Sequence, residues 1–134
     1  MAAPLRILQL EDNPVDAELI AATLAEGGIA CEAVRVEGRE AFVAALKAGG
    51  IDMILADYSL PGLARKICPE IPFIFVSATL GEELAIDAMH RGATDYILKQ
   101  RLGRLVPSVQ RALRELHDRA ERMRVEEALR QSEK

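Results

Sequence analysis

The apolar positions of this chain follow two alternating rhythms. Runs of strand length, LRILQL (5–10), CEAVRV (31–36), DMILAD (52–57), PFIFVSA (72–78) and TDYILK (94–99), alternate with stretches of helical period, PVDAELIAATLAEGG (14–28), GREAFVAALKAGG (38–50) and EELAIDAMHRG (82–92). A longer helical stretch closes the chain. Alternation of this kind is the pattern of a parallel sheet whose strands are joined by helices. The first helix is expected to turn Leu19, Ile20, Thr23 and Leu24 inward and to stop at Gly27-Gly28, the second to bury Phe42, Val43 and Leu46 and to stop at Gly49-Gly50. Strands one, three and four are nearly continuous apolar runs, as central strands covered on both faces should be, whereas CEAVRV alternates and reads as an edge. Right-handed crossovers then wind five such units into an α/β, flavodoxin-like, doubly wound parallel sheet of strand order 2-1-3-4-5.

Composition narrows the picture only a little. The 134 residues are half hydrophobic and suit a single domain with a sizeable core. A formal charge of −4 without a basic run argues against nucleic acid or an anionic membrane as the main partner. The two cysteines, Cys31 and Cys68, form no C-x-x-C pair, so reduced thiols are expected rather than a disulfide framework or a zinc site. No signal-peptide pattern opens the chain and no run approaches the roughly 20 apolar residues that cross a bilayer, which points to the cytoplasm.

The candidate chemistry follows from the topology. In a sheet of this order the ligand crevice lies beyond the carboxyl ends of strands one and three. There the sequence places Glu11 and Asp12 after strand one, Asp57 after strand three, Ser77 after strand four and Lys99 after strand five. Clustered carboxylates repel unless a hard cation joins them, and a set of oxygens alone suits Mg²⁺ rather than zinc. The ammonium of Lys99 and the hydroxyl of Ser77 would meet the remaining charge of a phosphoryl group, leaving the Asp57 carboxylate as the nucleophile of an acyl phosphate. Taken singly these residues have plainer readings. Asp57 could close a turn before Pro61-Gly62, Asp12 could cap the first helix, and Ser77, Tyr96 and Lys99 could be ordinary structural or surface groups.

In order along the chain, LEDNPVDAEL, ILADYSLPG, FVSA and GATDYILK resemble the conserved motifs of the receiver domains of two-component response regulators, a likeness that runs from Leu5 to about Leu116. The resemblance implies a phosphoacceptor module charged by a phosphohistidine kinase or phosphotransfer protein. On the matching positions it implies Mg²⁺ ligation by Asp12 and Asp57, by Glu11 through water and by the backbone carbonyl of Ser59. It further implies Asp57 as phosphoacceptor, Lys99 as its counter-ion, Ser77 and Tyr96 as the switch pair, and Ala78 as space for the phosphodonor. Ser59 and Thr79, small and polar, stand where the family tunes loss of the phosphoryl group. Such a module is a switch more than an enzyme.

Two departures stand out. PGLARKICPEIP occupies the place of a full helix between strands three and four, so either that helix is truncated or the natural chain carries residues at a seam between Gly62 and Leu63. Gln100 follows Lys99 where the family usually has proline, and a trans link is expected there, since a cis bond without proline costs about 2.5–4 kcal/mol. Beyond the sheet the last helix is longer than one layer needs. Leu102, Val106, Val109, Leu113, Leu116, Ala120 and Met123 form a heptad stripe. The expectation is a receiver over 1–116 and a helical, coiled-coil-like linker over 117–134, homodimeric through that helix and resembling the linkers of hybrid sensor kinases. His90 and His117 sit in no phosphotransfer context.

The alternatives are a pseudo-receiver that dimerises without being phosphorylated, a dehalogenase-like phosphatase and a flavin binder. Ser59 stands where the phosphatase needs a second acid, and Glu11-Asp12 would repel a flavin phosphate unless a metal intervened.

Overall fold

The computed structural model describes residues 4–56, 66–67, 70–78, 82–90 and 92–132. Its elements are β1 (Leu5–Leu10), α1 (Pro14–Glu26), β2 (Cys31–Val36), α2 (Arg39–Ala48), β3 (Met53–Ala56), β4 (Phe73–Ser77), α3 (Glu82–His90), β5 (Asp95–Leu98), a 3-10 segment (Lys99–Arg104) and α4 (Leu105–Ser132). The strands form one parallel sheet of order β2-β1-β3-β4-β5, as the alternation of patterns predicts. Most of the segment between β3 and β4, with its expected helical irregularity, lies outside the described residues.

Period-two alternation splits the apolar residues between the two faces of the sheet. Leu8, Leu10, Ile54, Phe73 and Phe75 point to one side, where Phe42 and Leu46 of α2 cover them. Ile7, Met53, Leu55, Ile74 and Val76 point to the other, beneath Ile20 and Leu24 of α1 and Leu105, Val109 and Ala112 of α4. The edge strand β2 keeps its half-polar pattern and has no fully buried residue.

The helix ends follow local chemistry. Pro14 opens α1, and the side chain of Asn13 accepts hydrogen bonds from the backbone N–H groups of Val15 and Asp16 at 2.9 and 3.3 Å. The cap is thus Asn13, and Asp12 is released from that role. At the other end of the next helix Gly49 lies at φ 82°, a left-handed conformation that costs glycine little.

Two expectations about helix faces change. Leu19 is 53% exposed, because α1 seats Ala17, Ile20 and Leu24 on the sheet and its rotation carries Leu19 past the contact. In α4 the deepest residues are Leu105, Ser108, Val109 and Ala112, while Val106, Leu113 and Leu116, with Leu102 just before the helix, are only half-buried. A heptad seam presumes a helical partner; a sheet is broader and accepts two adjacent rows of small and medium side chains. No described peptide bond is cis, which includes the link between Lys99 and Gln100.

Candidate functional site

Register brings the strand ends to one edge. Leu10, the last residue of β1, pairs with Val36 and Ala56, the last residues of β2 and β3. Ser77, the last of β4, pairs with Leu98, the last of β5. Glu11 and Lys99 therefore leave their strands at the same edge of the sheet.

Glu11 is held there from both sides of its backbone. Its N–H donates to the carbonyl of Val36 at 3.2 Å, and its carbonyl accepts from the guanidinium of Arg35 at 3.2 Å. Only 2% of the residue reaches solvent. An isolated carboxylate so placed would cost far more than a hydrogen bond returns, so it requires a partner. Lys99 is that partner, its Nζ lying 3.0 and 2.9 Å from the two carboxylate oxygens. The Asn13 N–H adds a bond to Oε1 at 3.1 Å. The same ammonium also meets Oδ2 of Asp16 at 2.9 Å.

Asp16 escaped the sequence reading. It occupies the third position of α1, three residues after its cap, and Asn13-x-x-Asp16 is a helix-start spacing that directs an acid toward the N-terminal turn. That spacing was the available signal; the contact with Lys99, 83 positions away, was not.

The other expected residues divide. Asp12 is exposed at the start of the same loop. Ser77 is buried at the end of β4, and Ala78 beyond it is exposed. Gln100, standing where the family usually has proline, donates from Nε2 to the Ala78 carbonyl at 3.0 Å and so ties the exits of β4 and β5 together. Tyr96 stacks on Phe75 with ring centroids 5.3 Å apart and planes 11° from parallel, as their pairing on adjacent strands allows. Asp57, Ser59 and Thr79 lie outside the described residues.

As a metal site the described part consists of one buried and one exposed carboxylate, Glu11 and Asp12. Among the described residues no cluster of three His, Cys, Asp or Glu side chains comes together. The donors present are hard oxygens and fit Mg²⁺ in kind. Cys31, paired with Leu5 at the other end of β1, lies against the core beneath α1 and α4; burial pushes its thiol up, away from the reactive thiolate form.

Residues 7–110 match the response regulator receiver domain family. The chain belongs to that family. The receiver is 29% identical over 102 residues to the response regulator protein FleR of Pseudomonas aeruginosa, a match that takes in 70% of this chain and 21% of FleR. It therefore spans about a fifth of that relative. Among solved structures it is similar to NtrX from Brucella abortus in complex with ADP, with TM-score 0.79 and 25% identity over 92% of this chain and 29% of that one. The isolated receiver domain of NtrX matches with TM-score 0.69 and 25% identity over 81% of this chain and 98% of that domain. The receiver is thus a regulatory domain of a two-component system. No described helix is long and apolar enough to cross a membrane.

Proposed function

We propose that the receiver accepts a phosphoryl group on Asp57 from a phosphohistidine kinase or phosphotransfer protein and passes the change to an attached output through α4. The observation that carries this reading is the pairing of Lys99 with buried Glu11 at the edge where β3 ends, one residue before Asp57 in the sequence. An ammonium and an acid held at that edge supply the charges that a transferring phosphoryl group needs.

In the transfer, a carboxylate oxygen of Asp57 forms a bond to phosphorus as the bond from phosphorus to the donor imidazole nitrogen breaks. The electron pair of the breaking bond stays on the imidazole. Lys99 and Ser77 meet the charge on the phosphoryl oxygens, and the small side chain of Ala78 leaves the donor room. Asp12, Asp57, the Ser59 carbonyl and, through water, Glu11 would hold Mg²⁺, which when bound neutralises the acids and the phosphoryl oxygens. Ser59 and Thr79 leave water access to the acyl phosphate and do not by themselves make it long-lived. Tyr96, stacked on Phe75 beside the Ser77 strand, is the aromatic that would respond to a shift of the hydroxyl.

The test is intact mass after incubation with acetyl phosphate and Mg²⁺. Wild type gains one phosphoryl group, and Asp57→Asn gains none. A wild-type chain that stays unmodified, and gives no beryllofluoride response, is a pseudo-receiver instead.

For the output we assign 1–116 to the receiver and 117–134 to a linker. Burial on the sheet fades after Leu116, yet α4 runs on without a break, exposing Met123, Val125 and Leu129 at 63, 52 and 58%. A helix extension of this length is marginal alone in water, and a second copy of α4 is the partner we assign to it. The longer NtrX chain matches more of this sequence than its isolated receiver does, 92 against 81%, in keeping with a helix that continues past the receiver. Sedimentation of the full chain is expected to show dimers at high concentration, and Val125→Asp with Leu129→Asp to abolish them; a full chain that is monomeric throughout ends this part of the reading.

A further inference from the structure

We propose that Asp16 is a positioning residue for Lys99, giving the ammonium an anionic seat of its own when a divalent cation engages the acids at the strand edge. The inference rests on the phosphoacceptor reading and deepens it. The Nζ of Lys99 is 2.9 Å from Glu11 and 2.9 Å from Asp16, so the amine bridges two carboxylates of unlike character. Glu11 is closed off, with a side chain 3% exposed; Asp16, on the first turn of α1, is 33% exposed.

That difference decides what each acid does. A cation drawn to the Glu11 carboxylate meets the positive charge of Lys99 on the same oxygens, and the two repel. Held by Glu11, the amine would have to keep that carboxylate from the cation or give up that ion pair. Asp16 removes the conflict, because the ammonium already touches it and can lean toward α1 while remaining paired. The backbone N–H groups of Val15 and Asp16 are capped by Asn13, which holds this turn, and hence the acid, in register with the end of β1.

A purely structural role for Asp16 is also physically sound, since an acid in a first turn favours the helix dipole. The two roles separate on Mg²⁺ affinity measured calorimetrically on the full chain without any phosphodonor. Asp16→Asn is expected to weaken Mg²⁺ binding about tenfold at low ionic strength, the size of a strongly coupled pair. Asp16→Glu, which keeps the charge within reach of the ammonium, should stay within about threefold of wild type on the same scale. Glu18→Gln removes an exposed acid from the same helix and should change the affinity by less than about twofold, as a screened surface charge does.

Asp16→Asn binding Mg²⁺ as wild type does, Glu18→Gln matching the loss of Asp16→Asn, or Asp16→Glu failing to rescue would each overturn the assignment. A wild-type chain with no Mg²⁺ affinity at all would sink the metal-dependent phosphoacceptor reading itself. A wild type that binds and an Asp16→Asn that is indifferent would sink only the role given to Asp16.

Discussion

Lys99→Met is expected to lower the unfolding free energy by about 3–5 kcal/mol, the usual penalty for stripping a buried charge of its partner. Glu11 is 2% exposed, and once the ammonium is gone the Asn13 N–H is the described donor left on its carboxylate. One hydrogen bond to a charged group returns about 1.5–3 kcal/mol, too little to hold an ionised acid out of water. The neutral pair Glu11→Gln with Lys99→Met should recover most of the loss, because two uncharged groups of similar shape face no comparable desolvation. Urea unfolding of both single variants and the double variant reads the coupling directly. If the double is no more stable than Lys99→Met alone, the Glu11–Lys99 pair is not what the lysine contributes. Against a typical domain stability of about 5–15 kcal/mol, the single variant should stand near the limit of folding.

The second large effect belongs to the opposite face of the sheet. Phe42→Ala is expected to cost about 3–5 kcal/mol through lost burial and the cavity left behind. Phe42 is 0% exposed and seats α2 over Leu8, Leu10 and Ile54, in the same layer as Phe73 and Phe75. Unlike the lysine variant, it leaves every group at the strand edge intact. Phosphorylation of its folded fraction should therefore match wild type at low temperature while the denaturation midpoint falls. A midpoint within error of wild type would mean that α2 does not depend on this ring, and selective loss of phosphorylation in a fully folded sample would mean that Phe42 reaches the site.

Much of the architecture was written in short stretches of the chain. LRILQL and MILA (53–56) become β1 and β3 because apolar runs of that length, broken by turn residues, can be covered only from both sides. CEAVRV became the edge strand for the converse reason. Gly28 and Gly49, at φ 81 and 82°, follow their helices where a chain without Cβ turns most easily. Phe42 and Leu46 were legible as one helical face. Glu11 and Lys99 were legible as neighbours at one edge of the sheet, since each follows a strand that ends there. Less legible was the inner face of the long helix: its stripe included Val109, but the sheet also took Leu105, Ser108 and Ala112.

What the amino-acid order determined by itself was therefore the sequence of elements, their caps and the edge at which polar groups emerge, all of them consequences of periodicity and contacts within a few residues. What only the tertiary structure decided was which distant groups meet: Lys99 with Asp16 as well as Glu11, and Gln100 with the Ala78 carbonyl. These contacts link positions 83, 88 and 22 apart, and no local pattern encodes such a distance. They form because packing the two faces of the sheet brings α1 and the exits of β4 and β5 to one edge, where a buried carboxylate must find a cation and the nearest ammonium is shared with the first turn of the neighbouring helix.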